Sequence, residues 1–116
     1  MSNRLAIQHY ADNLYIIEFM ESSIVDQLTI AQINQDIKAV VERAGAPKLV
    51  FDFSNVTHVS SAMLGVLMTQ HKACKAAGGD IRLCGINKNI MQVFKLTRLD
   101  KMMKIFPNQD QAIAKF

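Results

Sequence analysis

The segment Lys48–Met68, KLVFDFSNVTHVSSAMLGVLM, decides the fold. From Leu49 to Phe53 it is apolar except for Asp52. So short and nearly unbroken a run marks a strand buried on both faces, as in the interior of a parallel sheet. After the polar stretch ending at Ser60 and Ser61 the period changes, and Leu64, Leu67, Met68, His71 and Cys74 share one face of a helix. A buried strand, a loop and an amphipathic helix in that order predict an α/β fold, with helices packed on a mostly parallel sheet.

The flanking sequence extends this pattern. RLAIQHY (4–10) and NLYIIEF (13–19) are extended runs on either side of ADN, residues that suit a tight turn, and they predict an antiparallel hairpin. Between Leu28 and Ala44 the stripe Ile30, Ile33, Ile37, Val40, Val41 and Ala44 has helical spacing, and AGAPK (44–48) stops it with glycine and proline. Ala76–Gly79 stops the second helix. DIRLCGI (80–86) reads as a strand, and KNIMQVFKL (88–96) as a short helix with Ile90, Val93 and Phe94 inward. KMMKIF (101–106) reads as a last strand and NQDQAIAKF (108–116) as a terminal helix. Residues 1–116 are expected to form one domain, a mixed sheet of four or five strands with about four helices. Lys48–Phe53 should lie at its centre, with the Asp52 carboxylate satisfied by backbone amides near the strand end.

Composition narrows the function. Half of the 116 residues are apolar, a fifth are charged, and the net charge is only +3. The longest basic cluster, the loose series Lys95, Arg98, Lys101 and Lys104, reads as the solvated side of one segment. With no Trp and no basic tract interleaved with aromatics, nucleic-acid binding is set aside. No apolar window approaches a membrane span and the N-terminal stretch lacks a signal-like core, so a cytoplasmic protein without membrane contact is expected. Cys74 and Cys84 form no CxxC pair and read as buried free thiols. His9, His58 and His71 stand isolated, so neither a metal site nor a cofactor is expected.

Ser60 and Ser61 sit at the carboxyl end of the central strand, where functional sites of α/β sheets gather, and they open a helix whose first amides are unpaired. Ser60 in the N-cap role would stabilise that helix by about 1 kcal/mol and leave Ser61 at the first helical position with a free side chain. A serine nucleophile needs a base and an orienting acid. The GxSxG elbow is absent, since Val59 and Met63 flank the pair, and no GxGxxG or Walker loop occurs. The chain is therefore not expected to be an enzyme.

LVFDFSNVTHVSSAMLGVLM, followed by KAAGGDIRLCGINKNIMQVFKLTRLDKMMKIF, resembles the STAS domain of bacterial anti-sigma factor antagonists. That family has a buried strand ending in Asp-Leu-Ser-x-Val and an Asp-Ser-Ser/Thr-Gly-Leu-Gly element opening a helix. A Gly-Gly stop, a strand and a short helix with a Leu-rich segment follow. The positions that match are Asp52, Ser54, Val56, Ser61, Leu64, Gly65, Gly78, Gly79, Leu83, Val93, Phe94, Leu96 and Leu99. The match runs from about Lys48 to Phe106, and before it only the strand–strand–helix order fits.

The resemblance implies phosphorylation of the serine after the family's Asp by a partner serine kinase, an anti-sigma factor with a histidine-kinase-like ATPase fold, opposed by a serine phosphatase. That role falls on Ser61, with Ser60 as second choice. Here Ser60 replaces the family's acid, Ala62 its Ser/Thr and Met63 its Gly. The partner surface is expected to comprise Ser60, Ser61, Ala62 and Met63. Ser22, Ser23 and Asp26 should lie alongside, and Lys72 is an outlying candidate. A phosphate brings about −1.5 to −2 of charge, which a helix N-terminus accepts and a partner packed over it does not. The alternative is an unphosphorylated STAS subunit that docks constitutively on a partner, as in lipid-transport ABC systems.

Overall fold

The computed structural model describes residues 5–10, 13–114 and 116. Strands β1 (Leu5–His9) and β2 (Leu14–Phe19) form the expected antiparallel hairpin, in register from Leu5↔Phe19 to His9↔Tyr15. Of the ADN turn, Ala11 and Asp12 lie outside the described residues. β3 (Ser23–Ile24) and helix α1 (Gln27–Ala44) follow, then β4 (Lys48–Asp52), β5 (His58–Val59) and α2 (Ser61–Ala76). The remaining elements are β6 (Asp80–Cys84), α3 (Lys88–Leu96), α4 (Leu99–Met102), β7 (Lys104–Phe106) and α5 (Gln109–Ile113).

The main sheet has the order β1-β2-β4-β6-β7, antiparallel only between β1 and β2. The apolar run of β4 is central, as its sequence requires. Leu49, Val50 and Phe51 are fully buried because helices lie on both faces. One face packs Ile17, Phe19, Leu49, Phe51, Ile81 and Leu83 against the apolar stripes of α1, α2 and α3. The other face, with Ile16, Val50 and Cys84, is covered by Ala112 of α5.

Buried polar groups hold this second face in place. The Asp52 carboxylate accepts from the Ser54 amide at 2.8 Å, from the Ser54 hydroxyl and from the Gln109 side chain. It is thus satisfied by one backbone amide and two side chains, rather than by amides alone. Arg82 lies under α5, donates to the Ala112 and Ala114 carbonyls at 2.9 Å each, and stacks over Phe116 at 4.2 Å. A cation at a helix C-terminus satisfies carbonyls that have no partner within the helix.

Among the described residues the main sheet has the upper of the two expected strand counts and the helices number five, in line with the expected four or so, the short α4 being one that the sequence did not signal. β3, β5 and α4 are two to four residues long, too short for periodicity to reveal. Cys74 and Cys84 are buried free thiols, and burial pushes both up to about 12, so they stay protonated at neutral pH. His71 is buried, and desolvation lowers its pKa against the opposing pull of Asp80. Its Nε2 lies 3.7 Å from Asp80 Oδ1, beyond hydrogen-bond reach. Among the described residues no helix is long and apolar enough to cross a membrane.

Candidate functional site

The loop from β4 to α2 is built by long-range backbone pairing. Phe53 donates to the Cys84 carbonyl at 2.9 Å, and Val56 closes a turn on the Phe53 carbonyl at 2.9 Å. Thr57 then donates to the Ser22 carbonyl through its amide at 2.7 Å and its hydroxyl at 2.9 Å. β3 and β5 run parallel, with Ser23↔His58 and Ile24↔Val59 in register. The Ser60 amide extends the ladder to the Ile24 carbonyl at 3.0 Å. This small second sheet holds the starts of α1 and α2 side by side. Ser23 and Asp26 thus stand next to Ser60 and Ser61, and Asp26 caps α1 by accepting from the Thr29 amide at 2.9 Å.

Ser60 has the N-cap backbone of α2, at φ −93° and ψ 167°, and its carbonyl accepts from the Leu64 amide at 3.3 Å. Its side chain does not cap. The hydroxyl is buried and, among the described residues, has no hydrogen-bond partner. This corrects the capping expectation: the backbone is that of an N-cap, but Oγ is buried and accepts from no amide of the first turn. A kinase cannot reach a buried hydroxyl, so Ser60 falls as the second-choice modification site. Ser60→Ala is accordingly expected to be neutral or slightly stabilising in urea denaturation, instead of costing the roughly 1 kcal/mol of a lost cap.

Met63 requires a second correction. It is fully buried in the core beneath the first turn of α2, so it cannot present itself to a partner. Ser61 and Ala62 are exposed, as is Lys72 further along the helix. The Met63 amide turns back to the Ser60 carbonyl at 3.1 Å, the Ser61 and Ala62 amides at the head of the helix have no helical carbonyl ahead of them, and no acidic side chain occupies the turn. An anion carried on Ser61 therefore meets the positive end of the helix dipole.

Three exposed apolar residues at this end escape a sequence reading. Val25 is 52% exposed, Leu28 82% and Met20 45%. Val25 and Leu28 bracket Asp26 at the start of α1, and the Asn55 amide touches Met20 sulfur at 4.0 Å. The one available signal is that Leu28 lies off the stripe formed by Ile30, Ile33 and Ile37. Among the described residues no group of three or more His, Cys, Asp or Glu side chains is placed to hold a metal ion.

A family model described as the STAS domain matches residues 11–112. The chain belongs to the STAS domain family. Among its relatives is the anti-sigma F factor antagonist of Paenibacillus polymyxa, 21% identical over 113 residues that span 97% of this chain and 94% of the relative. An anti-sigma factor antagonist from Mycobacterium paratuberculosis superimposes with a TM-score of 0.79 at 25% identity, over 94% of this chain and 89% of that one. The Bacillus cell fate determinant SpoIIAA in the phosphorylated form gives a TM-score of 0.74 at 15% identity, over 94% and 96% of the two chains. At that identity the likeness is one of fold. The paired starts of α1 and α2 form the candidate site of this STAS chain.

Proposed function

We propose that this STAS protein is an anti-sigma factor antagonist that binds a partner serine kinase of histidine-kinase-like ATPase fold and is released when that kinase phosphorylates Ser61. A serine phosphatase restores the binding form. The protein contributes a docking surface and no chemistry of its own, as a single cytoplasmic domain. The observation that carries this reading is the contrast between the two serines: Ser61 is exposed at the first position of α2, whereas the Ser60 hydroxyl is buried. The relatives named as anti-sigma factor antagonists, and the phosphorylated form of SpoIIAA, support it.

Val25 and Leu28 supply apolar contact beside Ser23 and Asp26, and Ser61 with Ala62 offers a small, open surface on which a partner can pack closely. Phosphate on Ser61 sits at a helix N-terminus and leaves the fold intact. In the complex the same dianion faces or is buried under the partner, where an uncompensated charge costs several kcal/mol. Absence of the family's acid at Ser60 removes a like-charge neighbour and eases placement of the phosphate.

The test incubates the protein with its partner kinase and ATP, locates phosphate by mass spectrometry, and measures partner affinity for Ser61→Ala and Ser61→Glu. Ser61→Ala should keep the parent's stability within a few tenths of a kcal/mol and its affinity, and take up no phosphate. Ser61→Glu should fold normally and bind about tenfold or more weakly, a loss of about 1.4 kcal/mol at least. Undiminished binding by Ser61→Glu, with no phosphate on Ser61, would replace this reading with the constitutively docked subunit.

A further inference from the structure

We propose that β1 is a self-association strand, and that two copies of this chain pair antiparallel along their β1 edges about a two-fold axis at Ile7. Among the described residues β1 ends the main sheet and is hydrogen-bonded on one side only, to β2. The phase of that ladder follows from the Tyr10 amide, which donates to the Leu14 carbonyl at 2.7 Å. In the observed register the bonded pairs are therefore Tyr10↔Leu14, Gln8↔Ile16 and Ala6↔Glu18. The backbone N–H and C=O groups of Leu5, Ile7 and His9 consequently point away from β2, and Ile7, Gln8 and His9 are exposed.

Soluble proteins blunt such edges with charge, proline, a bulge or a very short strand. The opposite edge of the sheet is blunted in this way: β7 has three residues, carries the exposed Lys104 and is followed by Pro107. β1 has none of these devices. LAIQHY, from Leu5 to Tyr10, contains no Lys, Arg, Asp, Glu or Pro, and its register with β2 is unbroken by a bulge.

The edge is its own complement, which selects a second copy as the occupant. Antiparallel pairing centred on Ile7 sets Ile7 opposite Ile7 of the second copy and Leu5 opposite His9 of the second copy. All of these residues present their backbone groups outward, so each facing pair exchanges two N–H···O bonds. Ile7, 40% exposed in the single chain, meets its twin on the helix-covered face. His9 is held for this contact by its stack on Tyr15, at 4.3 Å between ring centroids. An uncharged edge offers a foreign strand no electrostatic preference, whereas the two-fold arrangement pairs like with like at no charge cost. A five-residue ladder buries little beside the roughly 1,600 Å² of a standard complex, so the dimer exchanges with monomer. The proposal does not depend on the reading of Ser61.

Sedimentation velocity over a wide concentration range tests it, with amide exchange measured at both extremes. The mass should rise from the 13.0 kDa of one chain towards twice that value. The amides of Leu5, Ile7 and His9 should become protected only at high concentration, while those of Ala6, Gln8 and Tyr10 stay protected throughout. Ile7→Lys sets two ammonium groups face to face at the axis. It should weaken association about tenfold or more while melting like the parent. A mass that stays monomeric at the highest concentration overturns the proposal. So does a dimer in which the Leu5, Ile7 and His9 amides exchange as in the monomer, or one that Ile7→Lys forms as readily.

Discussion

Gly79→Ala is expected to destabilise the fold by about 3–4 kcal/mol or more, placing it among the most damaging single-methyl additions to this chain. Gly79 completes the C-terminal turn of α2: its amide donates to the Cys74 carbonyl at 2.7 Å, and the Gly78 amide donates to Lys75 at 3.1 Å. This is a Schellman termination, with Gly78 at φ 86° in the left-handed position. The next residue, Asp80, donates to the Pro47 carbonyl at 2.9 Å and starts the β4–β6 pairing. A methyl group on Gly79 would overlap that carbonyl oxygen and come within 2.8 Å of Pro47 N and C. The obstacle is backbone, so relief requires shifting the start of β4 or β6. Gly78→Ala is the control. Its methyl meets only Ala46 Cβ at 3.9 Å, leaving the cost of a left-handed alanine, about 1–2 kcal/mol. Urea midpoints of the two variants should separate these causes; equal midpoints would show that the close approach of Gly79 to Pro47 carries no weight.

Phe53→Ala should cost about 3–5 kcal/mol, from lost burial and a cavity that the surroundings fill only in part. Phe53 is fully buried just past the end of β4. Its ring lies 4.8 Å from Phe19 of β2 and 6.2 Å, edge-on, from Phe94 of α3. It joins three elements under the loop that carries the candidate site. Phe53→Leu keeps most of the volume and should cost less than about 1.5 kcal/mol. Equilibrium unfolding reads both. Against a typical domain stability of about 5–15 kcal/mol, the alanine variant should also raise amide exchange between Ser54 and Ser60. If the alanine variant loses less than the leucine variant, the aromatic cluster is not what supports this loop.

Local chemistry made much of the fold legible. The run LVFDF has no exposed face to offer, so it had to be a central strand. The stripe from Ile30 to Val41 has only one helical solution, and the glycines at 78 and 79 end α2 by a motif contained within a few residues. Ser61 at a helix start was legible for the same reason, since the change from strand to helix period occurs within the quoted stretch. The edge position of β1 was not, because pairing partners are a property of the whole sheet.

The sequence by itself determined the order and kind of the longer elements, the buried character of β4 and the two serines as the opening of α2. These depend on periodicity and turn chemistry, which act over a few residues. Tertiary structure alone decided which serine is accessible. The Ser60 hydroxyl is buried in a loop whose backbone is held by β3, with the Ser22–Thr57 bond joining residues 35 apart. It also decided that Met63 is core and that Val25 and Leu28 stand exposed beside Asp26, and it placed Arg82 beneath the carbonyls of Ala112 and Ala114. The direction of a side chain at the end of an element is set by what packs against the element, and those contacts join residues far apart in the chain.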